Sequence, residues 1–216
     1  MTSGSRSSAD RAPEPSGISD RVLAAIEEHL KERERRREEV YGRARKLRRA
    51  AQSAVSQIHG GANAEETVRP VRDGLAELAA ALRGDGRADE PLALDALQEG
   101  VEACLLAAIV AESPLPGPSE LGVDPEPYLL GLGDVVGEIR RLLLDRLGDD
   151  DLPAAERHLT RMERLTEALL RFDTARAIVQ LKPKQDQARI LLERTRGEVV
   201  MARLLIHARD GREARP

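Results

Sequence analysis

Apolar residues along this chain recur in long amphipathic stretches punctuated by glycine and proline, and Val and Ile never alternate over a strand-length run. The first stretch begins at about Val22, behind Ser19 or Asp20, either of which can cap a helix. It meets no proline before His59-Gly60-Gly61, where paired glycines favour a stop. A second helix is predicted from near Asn63, with Glu65 and Glu66 in its first turn, to Gly84-Asp85-Gly86. Pro70 should sit early in it or kink it. A third runs from Asp89 or Pro91 to Glu112. The proline-rich segment 113–127 reads as a loop with room for one short turn at 119–121. A fourth helix follows Asp124-Pro125 and ends at Gly148, and a fifth runs from Asp151-Pro153 to about Phe172. A short sixth covers about 174–181, and a last one reaches about Ala208, with Pro183 breaking or kinking the connection. Short links between long amphipathic helices predict an all-α protein, an antiparallel bundle of six to seven helices. Residues 1–18 read as a disordered tail, 19–209 as the helical domain and 210–216 as a frayed C-terminus.

Two stretches depart from the amphipathic rule. Between Gly100 and Ala111, Glu102 is the single charged residue, so the end of the third helix is apolar on every side and should be buried. Glu99 lies three residues before it, on the same face. In Tyr128–Ile139 every residue is apolar or glycine except Asp134 and Glu138, which share a face four residues apart. An ionised carboxylate buried without a partner costs several kcal/mol or takes up a proton. Two such pairs brought together repel, unless something positive lies between them. Mg²⁺ or Mn²⁺ prefers oxygen ligands and would serve, leaving metal-bound water able to attack a phosphodiester. Pairing with arginines of neighbouring helices, or at a subunit interface, would serve as well.

Charge adds a second feature. The net charge is −4, yet residues 31–49 hold a cluster of basic residues, and Arg43, Arg45, Lys46, Arg48 and Arg49 stand together without an acid among them. They make either a solvated helix face or a surface that follows phosphates. Aromatics are only 1% of the chain, so base stacking is not the main means of holding a nucleic acid. The single cysteine, Cys104, lies in an apolar run and reads as a buried small hydrophobe. It permits no disulfide within the chain, and a cytoplasmic setting is expected. The N-terminus lacks the apolar core of a secretory signal, and no apolar run approaches the ~20 residues of a membrane span. The four histidines show no metal-site spacing, and no phosphate loop or nucleophile elbow is present.

The segments IHGGANAEE (58–66), LQEGVEA (97–103), PSELGVDPEPYLLGLGDVVGEIRR (118–141) and LKPKQDQARILLERTRGE (181–198) resemble, in order and spacing, the translin family, and within it the translin-associated factor X type. The resemblance spans roughly residues 20–208 and is to a single-chain, archaeal- or bacterial-like member. It implies a bundle of about seven helices that assembles into a barrel-shaped oligomer, typically an octamer, with a closed cavity. It also implies binding of single-stranded RNA and DNA and, for the factor X type, metal-dependent endoribonuclease activity. The family's Glu-x-x-Glu motif falls on Glu99 and Glu102, and its Asp-x-x-x-Glu motif on Asp134 and Glu138.

The expectation is therefore a Mg²⁺-dependent (or Mn²⁺-dependent) endoribonuclease of single-stranded or short RNA, acting as a homo-oligomer or with a second family subunit. Glu99, Glu102, Asp134 and Glu138 would hold the metal, Arg43, Arg45, Lys46, Arg48 and Arg49 the phosphates, and Arg140 or Arg141 the scissile phosphate. The rivals are a translin-like oligomer that binds without cutting, an all-α nucleoside triphosphate pyrophosphohydrolase using Mg²⁺ on helical carboxylates, and a purely structural oligomer.

Overall fold

The computed structural model describes residues 18–83, 91–173 and 178–213. Among them are seven helices and no strand: α1 (Asp20–His59), α2 (Ala64–Arg83), α3 (Pro91–Val110), α4 (Pro118–Leu121), α5 (Pro125–Gly148), α6 (Leu152–Leu170) and α7 (Leu181–Glu213). The all-α expectation holds, and no helix among the described residues is long and apolar enough to cross a membrane. Most of the tail expected at 1–18, and the linkers at 84–90 and 174–177, lie outside the described residues.

The chain divides into two units, Met1–Glu39 and Val40–Pro216. In the first, α1 is exposed and laced by ion pairs one turn apart: Arg35 holds Glu32 and Glu39, and Arg36 holds Glu32. Val22, Leu23, Ile26 and Leu30 are exposed in it.

In the second unit, α1 buries Ala44, Leu47, Ala51, Ala54 and Ile58, spaced alternately three and four apart as one helical face requires. The helix ends as the glycines predict. Gly61 takes φ +82, Ala62 N donates to Gln57 O, and Gly61 N donates to Ile58 O, which closes the last turn and fixes His59 within it. Asn63 then caps α2, its Oδ1 accepting from Glu66 N at 3.1 Å. Pro70 lies within α2 with Glu66 and itself exposed, so the carbonyl that loses its helical donor stays within reach of water.

Helix α3 is the centre of the core, with Val101 and every residue from Ala103 to Ile109 buried. It packs against α2 on one side and α5 on the other; α5 packs on α6 and α7, and these pack on each other. Asp151 caps α6 by accepting from Ala154 N at 3.0 Å. The expected short helix over 174–181 is not found where it can be seen: Ile178–Gln180 is a turn, and α7 starts at Leu181. Pro183 therefore falls in the first turn of α7, where its missing N–H has no helical partner to lose, and initiates the helix that it was expected to interrupt. Buried Gln185 ties this start to the end of α6, its Nε2 donating to Leu169 O and Phe172 O, both at 2.8 Å. The helix continues past Ala208 to Glu213.

The glycines of α5 set how closely its neighbours approach. A Cβ on Gly131 would lie 2.7 Å from Gln98 O and 2.9 Å from Val101 Cβ, and one on Gly133 would lie 2.7 Å from Lys184 Cβ. Thus α3 crosses α5 at Gly131, and α7 crosses it at Gly133. Replacing Gly131 by Ala should destabilise by about 1–3 kcal/mol, because the obstacle is backbone and cannot swing aside. Gly42, on exposed α1 with nothing within 4 Å of a Cβ, should gain about 0.5–1 kcal/mol on replacement by Ala. Urea unfolding of the two variants checks both signs.

Candidate metal and nucleic-acid site

The four acids singled out by the sequence lie on two helices that pack against each other. Glu99 and Glu102 are on α3, Asp134 and Glu138 on α5, and the two helices cross closely at Gly131, so that the charges of the other three reach Glu102. Glu102 registers the result. Its pKa is pushed up to about 8, first by burial and then by the charges of Asp134, Glu138 and Glu99, with Lys184 partly offsetting them. Among the described residues Glu102 makes no hydrogen bond or ion pair, and its stability at neutral pH comes from holding a proton.

The other three are each met by a positive or polar group from another helix. Arg48 Nε of α1 lies 2.8 Å from Glu99 Oε1. Lys184 Nζ of α7 lies 2.5 Å from Asp134 Oδ1, and Gln98 Nε2 donates to Asp134 Oδ2. His59 Nε2 lies 2.5 Å from Glu138 Oε2, with the imidazole almost wholly buried and its Nδ1 unpartnered. Lys184, His59 and Gln98 were not picked out from the sequence. All three lie in the segments that carry the family resemblance, but a single Lys, His or Gln in a helix leaves no periodic mark of its own.

The basic residues separate into groups. Arg45, Arg49 and Arg141 are exposed and make no ion pair among the described residues. Lys46 approaches Glu77 at 3.8 Å, and Arg43 donates to Glu77 O at 3.4 Å, both at the surface. Arg48 is drawn into the carboxylate cluster, so the basic face of α1 runs directly into the acidic site. Arg140 departs from expectation: its Nη2 donates to both oxygens of Glu198 on α7, at 2.6 and 2.8 Å, and its side chain is only 18% exposed. It clamps α5 to α7 and is not presented to a ligand.

The donor set suits a hard divalent cation: four carboxylates, one of them with a buried oxygen, Glu99 Oε2, that has no partner, and another held neutral by burial and by the charges of the other three. Among the described residues no group of three or more His, Cys, Asp or Glu side chains is arranged to hold a metal as it stands. The carboxylates that would do so are turned toward Arg48, Lys184 and His59.

Glu102 has a measurable signature in EDTA. Its folded pKa lies above the ordinary value of 4.5, so between pH 4.5 and about 8 the folded state keeps a proton that the unfolded state releases. Stability therefore falls as pH rises through that window and levels off above it. Glu102→Gln should raise the melting temperature clearly at pH 9 and barely at pH 5; an equal change at both would disprove the assignment.

No family model matches the chain. An uncharacterised protein of Methanocaldococcus jannaschii is 41% identical over 104 residues, so the chain matches about half the length of that curated relative, 47% of it, with 48% of its own. Among solved structures, a complex of AfC3PO with duplex RNA is similar at 31% identity and TM-score 0.74, over 85% of this chain and 97% of that one. AfC3PO by itself gives 32% identity and TM-score 0.75 over the same shares. Apo-NeC3PO, at 21% identity and TM-score 0.75 over 89% of this chain and all of that one, shares the fold.

Proposed function

The chain belongs to the translin family, and from that membership we propose that it is a divalent-metal-dependent endoribonuclease of the factor X type, working within a homo-oligomer. The observation that carries the reading is that Glu102 on α3 lies within the fields of Glu99, Asp134 and Glu138, while Arg48 of the basic face of α1 reaches Glu99. The structure of AfC3PO with duplex RNA supports RNA as the ligand.

In this reading Arg45 and Arg49, one helical turn apart, hold backbone phosphates without reading sequence. Arg43 and Lys46 add to the same face. Arg48 marks its inner edge, so a strand lying along α1 is delivered to the carboxylates. Arg141, exposed at the neighbouring part of α5, is the remaining candidate for a phosphate near the site. Glu99, Glu102, Asp134 and Glu138 would hold Mg²⁺ or Mn²⁺. The ion would supply a bound water of lowered pKa and positive charge for the oxygens of the phosphodiester. His59 fixes the orientation of Glu138, as the partners of metal-binding carboxylates commonly do. The exposed apolar side chains Ile190, Val200, Met201, Leu204 and Leu205 of α7 form a surface suited to self-association.

A second reading has its own support. Because three of the carboxylates already have cationic or imidazole partners, and no metal-holding group is preformed, the site also suits an oligomer that binds RNA without cutting it.

Cleavage of end-labelled single-stranded and duplex RNA separates the two. Under the nuclease reading, cutting requires Mg²⁺ or Mn²⁺, stops in EDTA, and is lost in Glu102→Gln and Asp134→Asn while RNA binding remains. Tight binding with no cutting by the wild-type protein in any divalent ion would establish the second reading. Independently, Arg45→Gln and Arg49→Gln should each weaken binding similarly for all RNA sequences and lower the salt-dependence slope by about one; an unchanged slope would remove α1 from the RNA interface.

A further inference from the structure

Resting on the nuclease reading, we infer that Lys184 couples metal to RNA at this site: its ammonium competes with the divalent ion for Asp134 and, once displaced, binds an RNA phosphate beside the carboxylates.

The argument begins with Asp134. Both its oxygens are engaged, Oδ1 by Lys184 at 2.5 Å and Oδ2 by Gln98. A cation that binds Asp134 must share or take one of these positions. Gln98 is neutral and can share its oxygen, whereas Lys184 carries a full charge that a divalent ion repels. Lys184 is therefore the partner that gives way.

The side chain is built to do so. Its root is fixed: Lys184 Cβ lies against Gly133, and the adjoining Gln185 is buried and bonded to the end of α6. The stem lies along Gly133 as far as Cδ, and the side chain is 29% exposed, so the rotatable bonds at its end are what would let the ammonium leave Asp134 while the helix stays in place. A lysine here is notable in a chain where only four of the 34 basic residues are lysine. The two arginines at comparable positions are held differently: Arg140 grips both oxygens of Glu198, and Arg48 sits on Glu99 at the edge of the basic face. Lys184 also acts on the shared charge of the site, since its field reaches Glu102. Freed from Asp134, and with the neighbouring carboxylates drawn to the metal, an ammonium at the rim of this cluster can bind a phosphate of the RNA that α1 delivers.

The proposal is tested on the full chain with Lys184→Met, Lys184→Gln and Lys184→Arg, each first shown to be folded by its helical circular dichroism. Binding of Mn²⁺ without RNA is measured by titration calorimetry, and binding of a short labelled RNA by anisotropy, in Ca²⁺ and in EDTA. Met or Gln should tighten Mn²⁺ binding roughly three- to tenfold, because a competing charge is gone, and Arg should leave it near wild type. The same neutral variants should bind RNA several-fold more weakly in Ca²⁺, with the salt slope reduced by about one, and as well as wild type in EDTA. Mn²⁺ binding that is unchanged or weaker in both neutral variants overturns the inference, as does an RNA defect of equal size with and without metal. If metal-dependent cutting by the wild type persists in those cases, the nuclease reading stands without it; if the wild type binds no Mn²⁺, both fall.

Discussion

Glu102 and its three carboxylate neighbours set the constraint that the surrounding structure answers. An acid on the most apolar helix of the bundle loses its hydration, and the approach of Asp134, Glu138 and Glu99 makes ionisation harder still. Each remaining acid is stabilised by a group from a different helix: Arg48 and His59 from the two ends of the inner part of α1, Lys184 from the start of α7. The charge problem of the α3–α5 contact thus draws in α1 and α7. Removing any one of these partners would leave a half-buried charge exposed to like charges, which is more costly than the loss of an ordinary surface pair.

Backbone geometry makes the arrangement possible. Gly131 lets α3 lie against α5, and Gly133 lets α7 do so two residues later, just before Asp134. A larger residue at either position would move Gln98 or Lys184 away from Asp134. The Schellman turn at Gly61 does the same for His59, holding it in the last turn of α1 where it meets Glu138. The glycines that look like weak points in the helical pattern are the positions where helices must come closest.

The contrast between Arg140 and Lys184 shows how similar charges on the same pair of helices take different work. Arg140 uses one planar nitrogen on both oxygens of Glu198, away from the other acids, and its largely buried side chain serves the α5–α7 contact. Lys184 sits among an excess of carboxylates, with its single ammonium on one oxygen of Asp134. Position relative to the acidic cluster, and not residue type alone, decides which charge is structural.

The sequence by itself determined a great deal. Helix periodicity, caps and glycine stops located the long helices, because these are local properties that survive any packing. The two acid pairs were legible because a charge in an otherwise apolar helix is conspicuous. The helix expected over about 174–181, with Pro183 breaking or kinking the connection, is absent over the described residues 178–180 because proline is compatible with a helix start as well as a helix end, and the anchoring of Gln185 on α6 selects the start. Tertiary structure alone decided the rest. That Arg140 clamps Glu198, that Arg48 leaves the basic face to meet Glu99, and that His59, Lys184 and Gln98 belong to the site all depend on which helices cross where. Those crossings bring together residues 36 to 79 positions apart, a separation over which no local pattern carries information.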